Sequence, residues 1–171
     1  MFQTHNNATR VVKVSGKEAM NIINYMSYLT SLGTITAFSE ENAIIAIEWG
    51  QIENPQPNEL LIALGKQLEL YFDGKLENFN VKVKAKGTTY QKAVWNEMLT
   101  IPYGQTRTYT EISKRLSSSP RAVGTACGKN PIPIIIPCHR IISTNGSMGG
   151  YSAGSGITTK INLLNLEGAI I

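Results

Sequence analysis

The segment Thr108 to Lys129 reads TYTEISKRLSSSPRAVGTACGK, and its punctuation sets the architecture of the second half of the chain. Thr108 is followed three residues later by Glu111, the spacing of a capping box that opens a helix through Leu116. Ser117 to Ser119 make a short polar turn. Pro120 then suits the first turn of a second helix, Arg121 to Lys129, because its missing N–H is not needed there. The small residues Ala122, Gly124 and Ala126 let another surface come close to this helix. Helix, short turn and small-residue helix read as a helix-turn-helix, although a helical hairpin inside a plain core gives the same pattern.

Working upstream, Thr89 to Thr100 (TYQKAVWNEMLT) predicts a helix capped by Thr89, with Val94, Trp95, Met98 and Leu99 on one face and Ile101-Pro102-Tyr103-Gly104 ending it. Downstream, Asn130 to Arg140 (NPIPIIIPCHR) holds three prolines in seven residues, which predicts a stiff, extended segment able to present a residue at a fixed place. The residue at its end is Cys138, flanked by His139 and Arg140, whose positive potential would favour thiolate over thiol. Neighbours in an extended segment do not bond side chain to side chain, so His139 would act on Cys138 through a water or after a turn. An acid to orient the imidazole must come from elsewhere. A small buried hydrophobe is the commoner fate of an intracellular cysteine, and helix periodicity assigns that fate to Cys127.

The first half has a different texture. Thr34–Ser39 and Ala43–Trp49 are β-rich runs joined by the polar Glu40-Glu41-Asn42, a hairpin pattern. Lys17 to Leu29 has apolar residues at helical spacing, while Tyr25 to Leu29 would equally begin the sheet. Glu53 to Asn58 is a proline-containing loop. Glu59 to Phe72 places positions 60, 61, 64, 68, 71 and 72 on one helical face and stops near Asp73-Gly74. Asn78 to Lys84 alternates Phe79, Val81 and Val83 with polar residues and predicts an edge strand. The expected division is an α/β domain over residues 1–87 and a second domain over residues 88–171.

Composition narrows the function classes. The 171 residues are 42% hydrophobic and 16% charged, enough for one sizeable core or two small ones. Two cysteines and two histidines exclude a disulfide framework, and a four-ligand zinc site would need all four of them. No run approaches the roughly 18 apolar residues of a membrane span, and the polar first ten residues lack the apolar core of a signal peptide. An intracellular, reducing compartment is expected. The net charge of +4 is uneven: eight Lys/Arg face nine Asp/Glu up to Gly87, and eight face three from Thr88 onward. The basic second half suits a polyanion.

IPIIIPCHRII with the preceding RAVGTACGKNP closely resembles the active-site signature of the O6-alkylguanine-DNA alkyltransferases, the methylated-DNA–protein-cysteine methyltransferases. The resemblance runs from about Tyr28 to Gly168 through LGTITAF, ELYFDGKL, GTTYQKAVW, IPYGQTRTYTEI, GGYSAG and LLNLEG. It implies a small ribonuclease H-like α/β domain followed by a mostly helical, winged helix-turn-helix-like domain that carries the reactive cysteine. It implies direct repair of double-stranded DNA: an O6-alkylguanine, and also an O4-alkylthymine, is flipped out, and its alkyl group passes irreversibly to Cys138, once per molecule. The family's cysteine, water, histidine, glutamate relay carries over to Cys138, His139 and Glu167, and its proton donor to Tyr109. Asn130 matches the hinge asparagine. Arg121 matches the finger that fills the emptied stack, on a helix laid in the minor groove where Ala122 and Gly124 permit close approach. Thr110 and Thr144 fall at DNA-contacting positions.

By the same match Pro133, Tyr151 and Ser152 line the base pocket, and the carbonyls of Cys138 and Ile141 read the guanine amine. Some members bind zinc in the first domain, but that half has no cysteine here and only His5, so neither metal nor cofactor is expected. Ala153 and a loop from Ser152 to Lys160, about two residues longer than in compact members, leave the range of bulky alkyl groups open. Residues 1–20 have no clear counterpart. A monomeric, cytoplasmic protein, nucleoid-associated on damaged DNA, is implied. Two other classes stand beside this one: a lesion-binding protein without chemistry, which would lack Cys138, and a cysteine hydrolase, which would need an oxyanion hole.

Overall fold

The computed structural model describes residues 22–169. Residues 1–20, including His5, lie outside that range. Three strands, β1 (Asn24–Thr30), β2 (Gly33–Glu40) and β3 (Ala43–Trp49), form an antiparallel meander in chain order. The β2–β3 connection is a two-residue turn in which Glu41 and Asn42 both have positive φ, 48° and 59°. That geometry matches the twist of the flanking strands.

The helix reading of residues up to Leu29 gives way, over residues 24–29, to β1. Ile22, Ile23 and Leu29, which a helical face would bury, are exposed. Tyr28 instead points into the core, where its hydroxyl donates to the Leu61 carbonyl at 2.7 Å. Side chains here obey the two-residue period of a strand, and Ser27 meets Thr36 across the sheet at 2.8 Å.

Helix α1 (Glu59–Phe72) covers the sheet with Leu61, Leu64, Leu68 and Tyr71, all buried, and is capped by Asn58, whose side chain accepts from the Leu61 N–H. Gly65 lets it approach Tyr28, because a Cβ there would lie 2.9 Å from the ring. The expected strand Asn78–Lys84 reduces to one bridge between Val83 and Ile44. Gln67 of α1 takes both backbone groups of Asn80, accepting from its N–H at 2.6 Å and donating to its carbonyl at 3.3 Å. Those groups are therefore lost to the sheet edge.

Helix α2 (Thr89–Leu99) is capped by Thr88, one residue before the expected Thr89, in a full capping box with Gln91. Val94, Trp95 and Met98 are buried, whereas Leu99 is exposed at the helix end. Trp95 donates its indole N–H to the Ala126 carbonyl at 2.9 Å, tying α2 to the helix that carries Ala126.

The short strand β4 (Arg107–Thr108) leads into α3 (Tyr109–Arg115), with the Thr108/Glu111 capping box in place. Helix α4 (Pro120–Cys127) begins with Pro120 in its first turn and ends two residues before Lys129. A single 3-10 turn, Cys138–Arg140, precedes β5 (Ile141–Ile142), which pairs in parallel with β4. Helix α5 (Ile157–Leu166) is the last element among the described residues. The result is a small sheet-and-helix unit followed by a helical one, joined by one continuous core.

The proline segment is folded back on itself rather than extended. Ile136 N–H donates to the Ile132 carbonyl at 2.9 Å, and Ile134 takes a positive φ of 75°. Asn130 holds this turn from inside, donating to the Ile136 carbonyl at 2.8 Å and accepting from the Ile132 N–H at 3.0 Å. Ile132, Ile134, Ile135 and Ile136 are all buried. Burial of four isoleucines and the asparagine's two bonds outweigh the extended preference of residues that precede proline.

Candidate active site

The turn places Cys138 on the wall of a cavity of about 460 Å3, within the range of small-molecule sites. Tyr109 from α3, Gly124 and Cys127 from α4, then Asn130, Pro133, Tyr151 and Ser152, share that wall. Seven of the residues singled out from sequence thus meet at one cavity: Cys138, Tyr109, Gly124, Asn130, Pro133, Tyr151 and Ser152.

Behind the thiol lies a charged core. Glu167, at the end of α5, is buried and accepts from His139 Nε2 at 2.7 Å, the Tyr71 hydroxyl at 2.6 Å, and Arg140 Nε and Nη2 at 2.8 and 2.9 Å. Burial alone would raise its pKa, but the bonds from His139, Arg140 and Tyr71 prevail and hold it at about 2. An ionised carboxylate at Nε2 makes that nitrogen the donor and leaves Nδ1 as the lone-pair nitrogen. Nδ1 is buried without a hydrogen-bond partner. Burial pushes the His139 pKa down despite Glu167, so the ring is a neutral base at pH 7.

Arg140 is occupied by Glu167 and by the Ile101 carbonyl at 2.7 Å. Neither sequence neighbour therefore supplies positive potential to Cys138. Burial raises its thiol pKa, opposed by the Asn130 side chain, by Lys160 and by the Tyr151 hydroxyl. The Tyr151 hydroxyl faces the sulfur but makes no bond of good hydrogen-bond geometry. The expectation of a resting thiolate favoured by His139 and Arg140 is thus corrected: one is neutral, the other paired, and desolvation prevails.

The cation facing the thiol is Lys160 of α5, which the sequence reading passed over. It is fully buried, donates to the carbonyls of Ile141 and Met148, and lies 5.9 Å above the Tyr109 ring. Burial lowers its pKa to about 8, opposed by Cys138 and Cys127. A lysine in an amphipathic helix carries no mark of burial, so only the alignment of ITTKINLL against a core would have found it. Tyr71 is the other omission: it reads as one more apolar position of α1, yet its hydroxyl reaches across from the first half of the chain to Glu167.

Tyr109 is half-buried, and desolvation raises its hydroxyl to about 12, with smaller contributions from Cys127 and Cys138. Gly149 must be small: a Cβ there would fall 2.8 Å from the tyrosine ring, on a backbone of positive φ. Cys127 is half-buried, packed against the core as its periodicity predicts, and also lines the cavity. Its thiol rises to about 12, first through burial and then through Cys138.

Ile141 is not on the cavity wall; it is buried, and its carbonyl accepts from Lys160. Arg121 is exposed at the start of α4, with Ala122 half-buried beside it, and neither lines the cavity. Thr110 and Thr144 meet hydroxyl to hydroxyl at 2.9 Å on the surface. Among the described residues, no three His, Cys, Asp or Glu side chains are grouped as metal ligands would be.

The likeness to known proteins covers both halves. The DNA-binding domain of 6-O-methylguanine DNA methyltransferases matches residues 89–169, and their ribonuclease-like domain matches residues 23–85. A methylated-DNA–protein-cysteine methyltransferase of Methanosarcina acetivorans is 41% identical over 155 residues, 85% of this chain and 98% of the relative. That of Metallosphaera sedula is 36% identical over 153 residues, 88% and 96% of the two chains. The crystal structure of Mycobacterium tuberculosis OGT in complex with DNA superposes with a TM-score of 0.76 at 37% identity, covering 84% of this chain and 92% of that one. The chain belongs to the 6-O-methylguanine DNA methyltransferase family.

Proposed function

We propose that this protein repairs alkylated DNA directly, taking O6-alkylguanine out of a duplex and transferring the alkyl group to Cys138. The observation that carries the reading is the placement of the Cys138 thiol on the cavity wall, backed by a neutral histidine locked onto an ionised glutamate. A base with a free Nδ1 and a buried thiol are the two parts a thiolate nucleophile needs. The thiol proton passes by a bridging water to His139 Nδ1, and Glu167 stabilises the imidazolium that forms. Lys160 and the Asn130 amide balance the thiolate.

The sulfur then attacks the alkyl carbon in line with the C–O6 bond. That bond breaks, its electron pair goes to the guanine, and the Tyr109 hydroxyl delivers the proton that neutralises it. The product is a thioether. No group in the cavity is suited to cleave a C–S bond, which supports one transfer per molecule. O4-alkylthymine, with the same alkyl–oxygen bond, fits the same chemistry.

Arg121 and the start of α4 are assigned to the duplex, with Ala122 and Gly124 giving room at the groove and Thr110 and Thr144 beside the backbone. Pro133, Tyr151 and Ser152 hold the flipped base. The excess of eight Lys/Arg over three Asp/Glu after Gly87 supports a DNA-facing second domain, residues 88–171, beside a near-neutral first one. We assign the protein as a monomer without cofactor in the cytoplasm, bound to the nucleoid when lesions are present. No helix among the described residues is long and apolar enough to cross a membrane.

The test is to incubate the protein with a duplex carrying O6-methylguanine and map the adduct by peptide mass. A methyl group on the Cys138 peptide is expected, and Cys138→Ala should bind the lesion without repairing it. Lesion binding by the wild type with Cys138 unmodified would leave only the binding-protein reading.

A further inference from the structure

The first half of the chain reaches the relay at one atom. Glu167 Oε1 accepts three hydrogen bonds: from His139 Nε2 at 2.7 Å, from Arg140 Nη2 at 2.9 Å and from the Tyr71 hydroxyl at 2.6 Å. Oε2 accepts from Arg140 Nε at 2.8 Å and from the Gly104 N–H at 3.4 Å. The Arg140 fork, one nitrogen to each oxygen, already fixes the plane of the carboxylate. Tyr71 therefore adds little to its orientation. What it adds is a third donor on the oxygen that His139 uses.

A hydrogen bond to a carboxylate oxygen stabilises its charge and lowers its basicity. Without the Tyr71 hydroxyl, Oε1 would pull harder on the Nε2 proton and make the imidazole a stronger base, charged at higher pH and with Nδ1 then occupied. The other charges around the ring do not replace that control. Arg140 and Lys160 oppose its protonation, while Glu167 favours it. Tyr103 faces Glu167 and Arg140, and Glu97 of α2 is paired with Arg115 at 3.2 Å.

Tyr71 is built to stay a donor. It is fully buried at the end of α1, with its ring centroid 5.3 Å from Phe72, 5.2 Å from Phe79 and 6.1 Å from Tyr103. Burial and the neighbouring carboxylate raise its pKa, so the hydroxyl keeps its proton. Resting on the alkyl-transfer reading above, we propose that Tyr71 is a positioning residue for that reaction: its hydroxyl, supplied by the first half of the chain, holds the relay proton on His139 Nε2 and keeps Nδ1 open to receive the Cys138 proton.

Two changes move this bond in opposite directions. Tyr71→Phe removes the competing donor, and replacement of Tyr71 by 3-fluorotyrosine keeps the ring and strengthens the donor. The first readout is the Nε2–H proton resonance of 15N-histidine-labelled protein without DNA; the chain holds two histidines, and His5→Gln leaves His139 as the single label. That resonance should move downfield in Tyr71→Phe and upfield in the fluorinated protein.

The second readout is the single-turnover rate of methyl transfer from a duplex carrying O6-methylguanine, followed against pH. Its acid limb should rise by about half to one pH unit in Tyr71→Phe and fall in the fluorinated protein, with the high-pH plateau held within about twofold. A resonance that stays put in both proteins, or a rate lowered by one factor at every pH, overturns the proposal and leaves Tyr71 a structural bond. If Tyr71→Phe does not fold, the fluorinated protein decides alone, and an unmoved resonance there overturns it. A wild type that transfers no methyl group overturns the alkyl-transfer reading instead, while the resonance still shows whether Tyr71 controls the ring.

Discussion

Replacing Glu167 with glutamine tests the charged core that sits behind the thiol. The carboxylate accepts from His139, Tyr71 and twice from Arg140, and it is buried. A glutamine keeps the shape but offers one acceptor oxygen and turns an NH2 toward donors. Removing one partner of a buried ion pair leaves the other uncompensated, at a loss of about 3–5 kcal/mol. For a chain of this length each kcal/mol lowers Tm by about 2–4 °C, so Glu167→Gln should melt roughly 6–20 °C below wild type.

The pH dependence gives a second, independent reading of the same group. Its folded pKa is about 2 against an ordinary 4.5. Between those values the unfolded chain binds the proton and the folded one does not. The contribution is therefore complete above pH 4.5 and lost as pH falls through about 2, for a total of about 3 kcal/mol. Urea unfolding followed by tryptophan fluorescence from pH 6 to 2.5 should show this acid decline in wild type and its absence in Glu167→Gln. A variant within about 1 kcal/mol of wild type, or parallel acid limbs for the two proteins, would refute the placement of Glu167 as the ionised hub.

Tyr71→Phe removes a hydroxyl that donates to a charged acceptor, and should lower stability by about 1.5–3 kcal/mol in urea titration; an unchanged midpoint would deny the bond. Lys160 has its folded pKa lowered by burial to about 8, so the unfolded chain holds more protons between there and 10.5. Relative to Lys160→Met, wild-type stability should therefore rise over that interval and stay level below it. Unfolding midpoints of the two proteins that run parallel from pH 7 to 10 would contradict the burial of a titrating ammonium. Arg121→Ala should weaken repair of a lesion in duplex DNA while leaving reaction with free O6-benzylguanine intact. Equal loss of both would remove Arg121 from the base-flipping role.

Local rules read well where one residue decides its own neighbourhood. The α1 boundaries and both helix starts of the helix-turn-helix come from an Asn or Thr cap, a capping-box glutamate and a proline in a first turn, none of which needs the rest of the fold. The readings that failed turn on a side chain that captures backbone groups, from afar or from within the segment itself. Asn78–Lys84 alternates like a strand, yet Gln67 from α1 captures Asn80. The proline segment bends because Asn130 bonds both of its ends.

The residues of the site divide the same way. Cys138, His139 and Glu167 were visible as rare chemistry and a matching motif, and their meeting adds distances to what the sequence suggests. Tyr71 and Lys160 were invisible, because burial of a hydroxyl or an ammonium is decided by tertiary packing, between the two halves for Tyr71 and within the second half for Lys160. Periodicity assigns Cys127 to the core, where it packs half-buried, but gives no sign that it also lines the cavity that Cys138 shares.

The central claim is that Cys138 takes the alkyl group and takes it once. Titrating the protein with a duplex bearing a tritiated O6-methylguanine, then counting methyl groups per molecule and locating them by peptide digestion, measures both parts. The account predicts a plateau at one methyl per chain, all of it on the Cys138 peptide. Continued transfer beyond one equivalent, or label on the Cys127 peptide instead, would contradict it.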